Sequence, residues 1–169
     1  KRRERWTFST RLVANQISRS TWRTTLTYKF FPTFLAGVEY NPKAGKFSPL
    51  ANWLLVPESS KRPALMLGTS SDRIGTPSGQ SFYLTVSKNV RGEGHPVLAP
   101  YLAFTYGTYE DKFRLGGGLN IGLTRSLNST ILFDGVHVHP MLSFDYRRQT
   151  FSFLLVRGRD PGISYSVSF

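Results

Sequence analysis

"PGISYSVSF", residues 161–169, alternates without a fault from Ile163 onward. Ile163, Tyr165, Val167 and Phe169 are apolar, whereas Ser164, Ser166 and Ser168 are small and polar. A period of two marks a β-strand whose two faces meet different surroundings. The same pattern recurs upstream. "FRLGGGLNIGL" (113–123) places Phe113, Leu115, Gly117, Leu119, Ile121 and Leu123 on one face and Arg114, Gly116, Gly118, Asn120 and Gly122 on the other. "VHVHPMLSFDY" (136–146) sets Val136, Val138, Pro140, Leu142, Phe144 and Tyr146 against His137, His139, Met141, Ser143 and Asp145. "TWRTTLTYKF" (21–30) and "SFYLTVSKN" (81–89) alternate likewise.

Turn chemistry separates these runs: "NPKAGK", "PESSKR", "RIGTPSGQ", "VRGEGHP", "YEDK", "RRQ" and "GRDPG". The punctuation predicts about twelve strands near 5–14, 21–31, 33–41, 48–57, 62–71, 80–90, 97–108, 111–123, 126–134, 136–147, 149–157 and 161–169. No helical period competes and no linker divides the chain. A single all-β domain over residues 1–169 is expected.

Composition agrees. Fifteen Gly, ten Pro, thirteen Phe and eight Tyr suit pleated strands joined by tight turns. Cysteine is absent, which excludes disulfides and thiol chemistry. No run of eighteen apolar residues provides a transmembrane helix. The opening "KRRERW" is compatible with a mature terminus after cleavage of a leader. A net charge of +12 raises nucleic acid as a partner. The cations are scattered (Arg23, Lys29, Lys43, Lys61, Arg91, Arg114, Arg147), and only "KRRER" clusters. A surface meeting anionic headgroups fits at least as well.

Periodicity alone does not say which face points inward. Three features favour apolar out and polar in. The polar face is rich in Gly, Ser and Thr rather than Lys and Glu. The apolar face often ends in Trp, Tyr or Phe: Trp6, Trp22, Tyr28, Phe30, Phe144, Tyr146, Tyr165 and Phe169. Strands of about ten residues are long for a sandwich, where five or six is usual, and match the 9–11 needed to cross hydrocarbon.

On these residues the chain resembles a bacterial outer-membrane β-barrel. Its last strand is similar to the terminal assembly signal of that class, with Phe169, Val167, Tyr165 and Ile163 at the alternating positions. The resemblance implies a closed, antiparallel, up-and-down transmembrane barrel with short turns and both termini periplasmic. It implies outer-membrane lipids, the barrel assembly machinery and other envelope proteins as partners. Nucleic acid is disfavoured. Short connections depart from the long external loops usual in the class.

Candidate sites lie on the polar face. Arg11, Arg23, Lys29 and Arg114 are lumen-lining candidates, similar to the basic lumen of acidic-sugar porins, with Glu39, Asp72, Asp134 and Asp145 as possible counter-charges. His137 and His139 share a face beside Asp145. Their spacing can hold a metal on a strand, but no third ligand is near in sequence, so polar packing is expected and no cofactor. Twelve strands also resemble the outer-membrane phospholipase. Its Ser–His chemistry has no counterpart here, because His137 and His139 face the lumen and His95 falls in a turn without a fixed partner. "GGG" (116–118) lies inside a strand, without the lysine or helix of a phosphate loop.

The expected function is therefore a non-enzymatic outer-membrane barrel, either a structural subunit of a larger envelope complex or a narrow, anion-preferring channel. The alternative is a soluble barrel or sandwich binding an apolar ligand or nucleic acid. On the face assignment, Leu119→Arg and Val138→Arg should impair folding or insertion, while Gly118→Ser and Ser166→Thr should be tolerated better.

Overall fold

A computed structural model describes residues 4–90 and 96–169. It is a closed antiparallel barrel of twelve strands in sequential order. The strands are β1 (Trp6–Val13), β2 (Trp22–Phe31), β3 (Phe34–Asn41), β4 (Lys46–Val56), β5 (Ala64–Ser71), β6 (Gln80–Ser87), β7 (Val97–Gly107), β8 (Lys112–Gly122), β9 (Leu127–Phe133), β10 (Val138–Tyr146), β11 (Gln149–Val156) and β12 (Asp160–Ser168). One short helix, α1 (Ser18–Thr21), lies between β1 and β2. Every strand expected from the alternation is present, and closure excludes the sandwich. β1 pairs with both β2 and β12. The Arg5 and Trp6 amides donate to the Phe169 carbonyl, and the Phe169 amide donates to Trp6. The seam leaves no edge strand, and both ends of the chain lie at one mouth, here the terminal mouth.

The faces sort as the alternation requires. Trp6, Leu26, Trp53, Leu67, Phe82, Leu102, Phe113, Leu142, Phe153 and Ile163 point outward and are exposed. Ile163, Tyr165, Val167 and Phe169 belong to this outer surface, where Tyr165 packs on Phe151. Aromatics gather at both ends. Trp6, Tyr28, Phe30 and Phe34 form a continuous chain of ring contacts near the terminal mouth. Tyr40 stacks on Phe47, and Tyr106 packs on Phe113, near the distal mouth.

Small inward residues leave room that two tyrosines use. Tyr83 lies over Gly68 and Tyr101 over Gly118, each on its neighbour's paired strand position. A Cβ at Gly118 would run into the Ile131 carbonyl and the Tyr101 ring. Gly118→Ser therefore carries a steric cost that the face assignment alone did not show. Gly118 is inward, as read, but its missing side chain is filled by the ring. Gly118→Ser should cost about 1–3 kcal/mol, measured by urea unfolding in detergent, with Ser166→Thr as the milder control.

Burial inside the barrel is uneven. Val13, Glu39, Asn41, Asp72, Thr76, His139, Leu154, Val156 and Asp160 are buried, and all lie toward the distal mouth. Ser152, Ser164, Ser166, Thr130 and Tyr101 point inward lower down and are only partly buried. The barrel thus has a packed layer at the distal mouth and a looser, hydroxyl-rich interior toward the terminal mouth.

Candidate functional site: the lumen and its lid

The packed layer is made by two connections, residues 14–21 and 72–79, that fold into the mouth instead of away from it. β5 and β6 stand opposite β11 and β12 in the ring. Even so, Ile74, from the β5–β6 connection, packs against Val13, Leu154 and Val156. The connection therefore crosses the lumen. Gly79 lets it turn back, with a φ of +107° and no room for a Cβ beside Asp72 and Tyr109.

Arg19 of α1 pins this lid. Its Nε donates to the Thr76 carbonyl at 2.6 Å. Its other donors reach the Asp72 and Arg73 carbonyls at 3.0 and 2.8 Å and the Thr76 hydroxyl at 2.7 Å. A buried guanidinium that satisfies carbonyls of a loop replaces the ladder bonds such a loop lacks. Asp72 in turn accepts from the Arg73 and Tyr109 amides. Gln16 and Arg157 both donate to Asp160 at 3.0 Å.

The four cations all occupy inward positions but do not form one ladder. Arg11 and Arg23 are direct cross-strand partners. Lys29 lies further down β2, toward the terminal mouth. Arg114 stands on β8, across the ring from β2, and pairs with Glu110. Of the four expected counter-charges only Glu39 pairs with one of them: its carboxylate is fully buried, 3.0 Å from Arg23, and accepts from Ser71 at 2.7 Å. Asp72 and Asp134 hold loop amides, and Asp145 accepts from Asn128 and Thr150.

The expected cluster of His137, His139 and Asp145 comes apart. His139 and Asp145 sit at opposite ends of β10, about 20 Å apart along the strand. His139 donates from Nε2 to the Asp134 carboxylate at 2.7 Å and accepts the Arg157 amide at Nδ1. Both ring nitrogens are engaged, so none is left for a metal. His137 lies in the β9–β10 turn and gives its amide to Asp134. His95, Arg91 and the first three residues of "KRRER" lie outside the described residues. The rest of that run is held: Glu4 pairs with Arg148, and Arg5 donates to the Tyr28 hydroxyl.

Two carboxyls in the distal connections have depressed pKa values. Burial alone would push Asp134 up; bonds from His139 and from the His137 and Val136 amides outweigh it and hold the carboxyl below its usual range. Hydrogen bonds from Arg114 and Arg73 lower Glu110. A depressed carboxylate stabilises the fold above its unfolded pKa, about 4, and that contribution is lost as pH falls through the folded value. Amide exchange across residues 72–79 and 108–111 should therefore accelerate below about pH 4, before the strands exchange. Uniform exchange in all elements would contradict this.

Register also shows what the alternation could not. Arg23, Arg11, Ser164, Ser152, Ser143 and Asn128 are successive cross-strand partners from β2 through β1, β12, β11 and β10 to β9. Barrel stagger turns this row into a spiral, rising from Asn128 near the terminal mouth to the arginine pair beneath the lid. Arg19, Ile74, Thr76 and Glu110 escaped the sequence reading because they sit in connections without periodicity. An apolar Ile74 inside the otherwise polar "RIGTPSGQ" was the available sign.

No protein-family model matches the chain, and no curated protein matches it with significance.

Proposed function

We propose that the protein is a non-enzymatic bacterial outer-membrane β-barrel and, within that class, a narrow anion-preferring channel constricted by its β5–β6 connection. The observation that carries this reading is the apolar belt, to which every strand contributes exposed large hydrophobic residues, outside a polar lumen. Its strands of 7 to 11 residues rise about 23–36 Å along their own axes. Tilted by about 40°, they bracket the roughly 25 Å apolar band of such barrels. Aromatics at both belt ends suit the two interfaces. Arg5, Lys61, Arg62, Arg125, Arg147 and Arg148, exposed at the terminal mouth, suit anionic headgroups. With this orientation the terminal mouth is periplasmic, and the partners are lipids, the assembly machinery and other envelope proteins.

Arg11 and Arg23 face each other on one rung, with Glu39 as the acid paired to Arg23, and such a local excess of positive charge attracts anions and repels cations. The non-enzymatic reading is supported by serine pairs in the lumen, Ser143 with Ser152 and Ser9 with Ser166, and by His139, whose two ring nitrogens are both engaged. The packed distal layer supports a second reading, a plugged structural subunit. Planar-bilayer recording under a salt gradient separates them. Arg19→Ala, which frees the lid, should raise an anion-selective current above wild type. Silence from both folded proteins would leave the structural subunit. A barrel that stays folded and monodisperse without detergent would instead be the soluble alternative.

A further inference from the structure

Arg11 is a lumenal cation with no ion pair of its own. Among the described residues its guanidinium has no hydrogen bond and no ion pair, and its Nε is buried without a partner. Its direct neighbour on β2 is another arginine, Arg23. Like charges facing each other across a strand pair are destabilising. Glu39 offsets one of the two, and Ser71 occupies its other oxygen. Arg19, just above, gives its Nε and Nη2 to the lid. On the other side Arg11 faces Ser164, whose hydroxyl points into the lumen and has no hydrogen bond to a described residue. One rung therefore holds two guanidinium groups and a free hydroxyl around a net positive charge, at the head of the hydroxyl spiral.

We propose that Arg11, Arg23 and Ser164 form a binding site for a tetrahedral oxyanion of the phosphate type. A guanidinium presents a rigid fork that matches two oxygens of such an ion. Forks from neighbouring strands and a third donor from the hydroxyl together address more oxygens than a carboxylate offers. The unpaired arginine is then the half of an ion pair whose acid is the ligand. The site rests on the lumen reading above and names its ligand class.

The test measures thermal unfolding of the full chain in neutral detergent, with sodium phosphate, sulfate, acetate or chloride at matched ionic strength. Phosphate and sulfate should raise the wild-type midpoint in a saturable way, as a ligand of the folded state must; acetate and chloride should not. Arg11→Gln should lose that rise, while its midpoint in chloride equals or exceeds wild type because an unpartnered cation is gone. Arg11→Lys should keep the charge but bind more weakly, and Lys29→Gln should bind as wild type. No phosphate-specific rise in wild type, an equal rise in Arg11→Gln, or an equal rise with acetate would each overturn the site. Detergent replaces the membrane, so binding is read whether or not the protein conducts. A silent bilayer with intact phosphate binding would sink the channel alone.

Discussion

Leu142→Arg is expected to lower stability in lipid vesicles by about 2–4 kcal/mol, the cost of arginine near the bilayer midplane on the lipid face of a barrel. Leu142 is the middle residue of β10, points outward and is 44% exposed. Its sign makes the variant informative. On a barrel surrounded by water, replacing an exposed leucine by arginine stays within about 0.5 kcal/mol. Leu119→Arg should behave like Leu142→Arg. Val138 heads its strand at the distal mouth, where the cost falls to about 0–1 kcal/mol. Reversible urea unfolding in vesicles measures the series, and equal costs at Val138 and Leu142 would contradict the depth assignment.

Arg23→Ala is expected to cost about 3–5 kcal/mol, because it strands a buried carboxylate. Glu39 is fully buried, and without Arg23 the Ser71 hydroxyl alone would serve it. Arg23 is itself partly exposed to the lumen, so the loss arises mainly from the acid left behind. The double variant Arg23→Ala/Glu39→Ala should therefore recover much of the loss, in a double-mutant cycle with clear coupling. A single-variant cost below about 1 kcal/mol would mean that water or a proton reaches Glu39.

The barrel was legible in the sequence because alternation is a local property. Each of "FRLGGGLNIGL" and "VHVHPMLSFDY" states its own two faces, and a closed sheet needs only that all runs agree. Inward placement of Arg11, Arg23, Lys29 and Arg114 followed from parity alone. Which of them meet did not, since cross-strand register depends on stagger around the whole ring. That is why Arg11 and Arg23 come together while Arg114 stands opposite, and why His139 and Asp145, close in sequence, end far apart. The lid was illegible for another reason. The packing of Ile74 on the cluster of Val13, Leu154 and Val156 joins elements far apart along the chain, and no period marks a connection that folds inward. Gly118 shows the limit of parity, which gave its face but not the tyrosine covering it.

The central claim is that the apolar belt faces lipid, and the three tryptophans read it directly. Trp6, Trp22 and Trp53 are all exposed on the outer surface, at 42%, 38% and 52%. The protein would be folded into vesicles whose acyl chains carry bromine at defined depths, and its tryptophan fluorescence followed. Quenching should be strong with bromine near the interface, weaker at the bilayer centre, and nearly absent from iodide added to the water. Quenching by iodide with none from brominated lipid would place the belt in water and contradict the account.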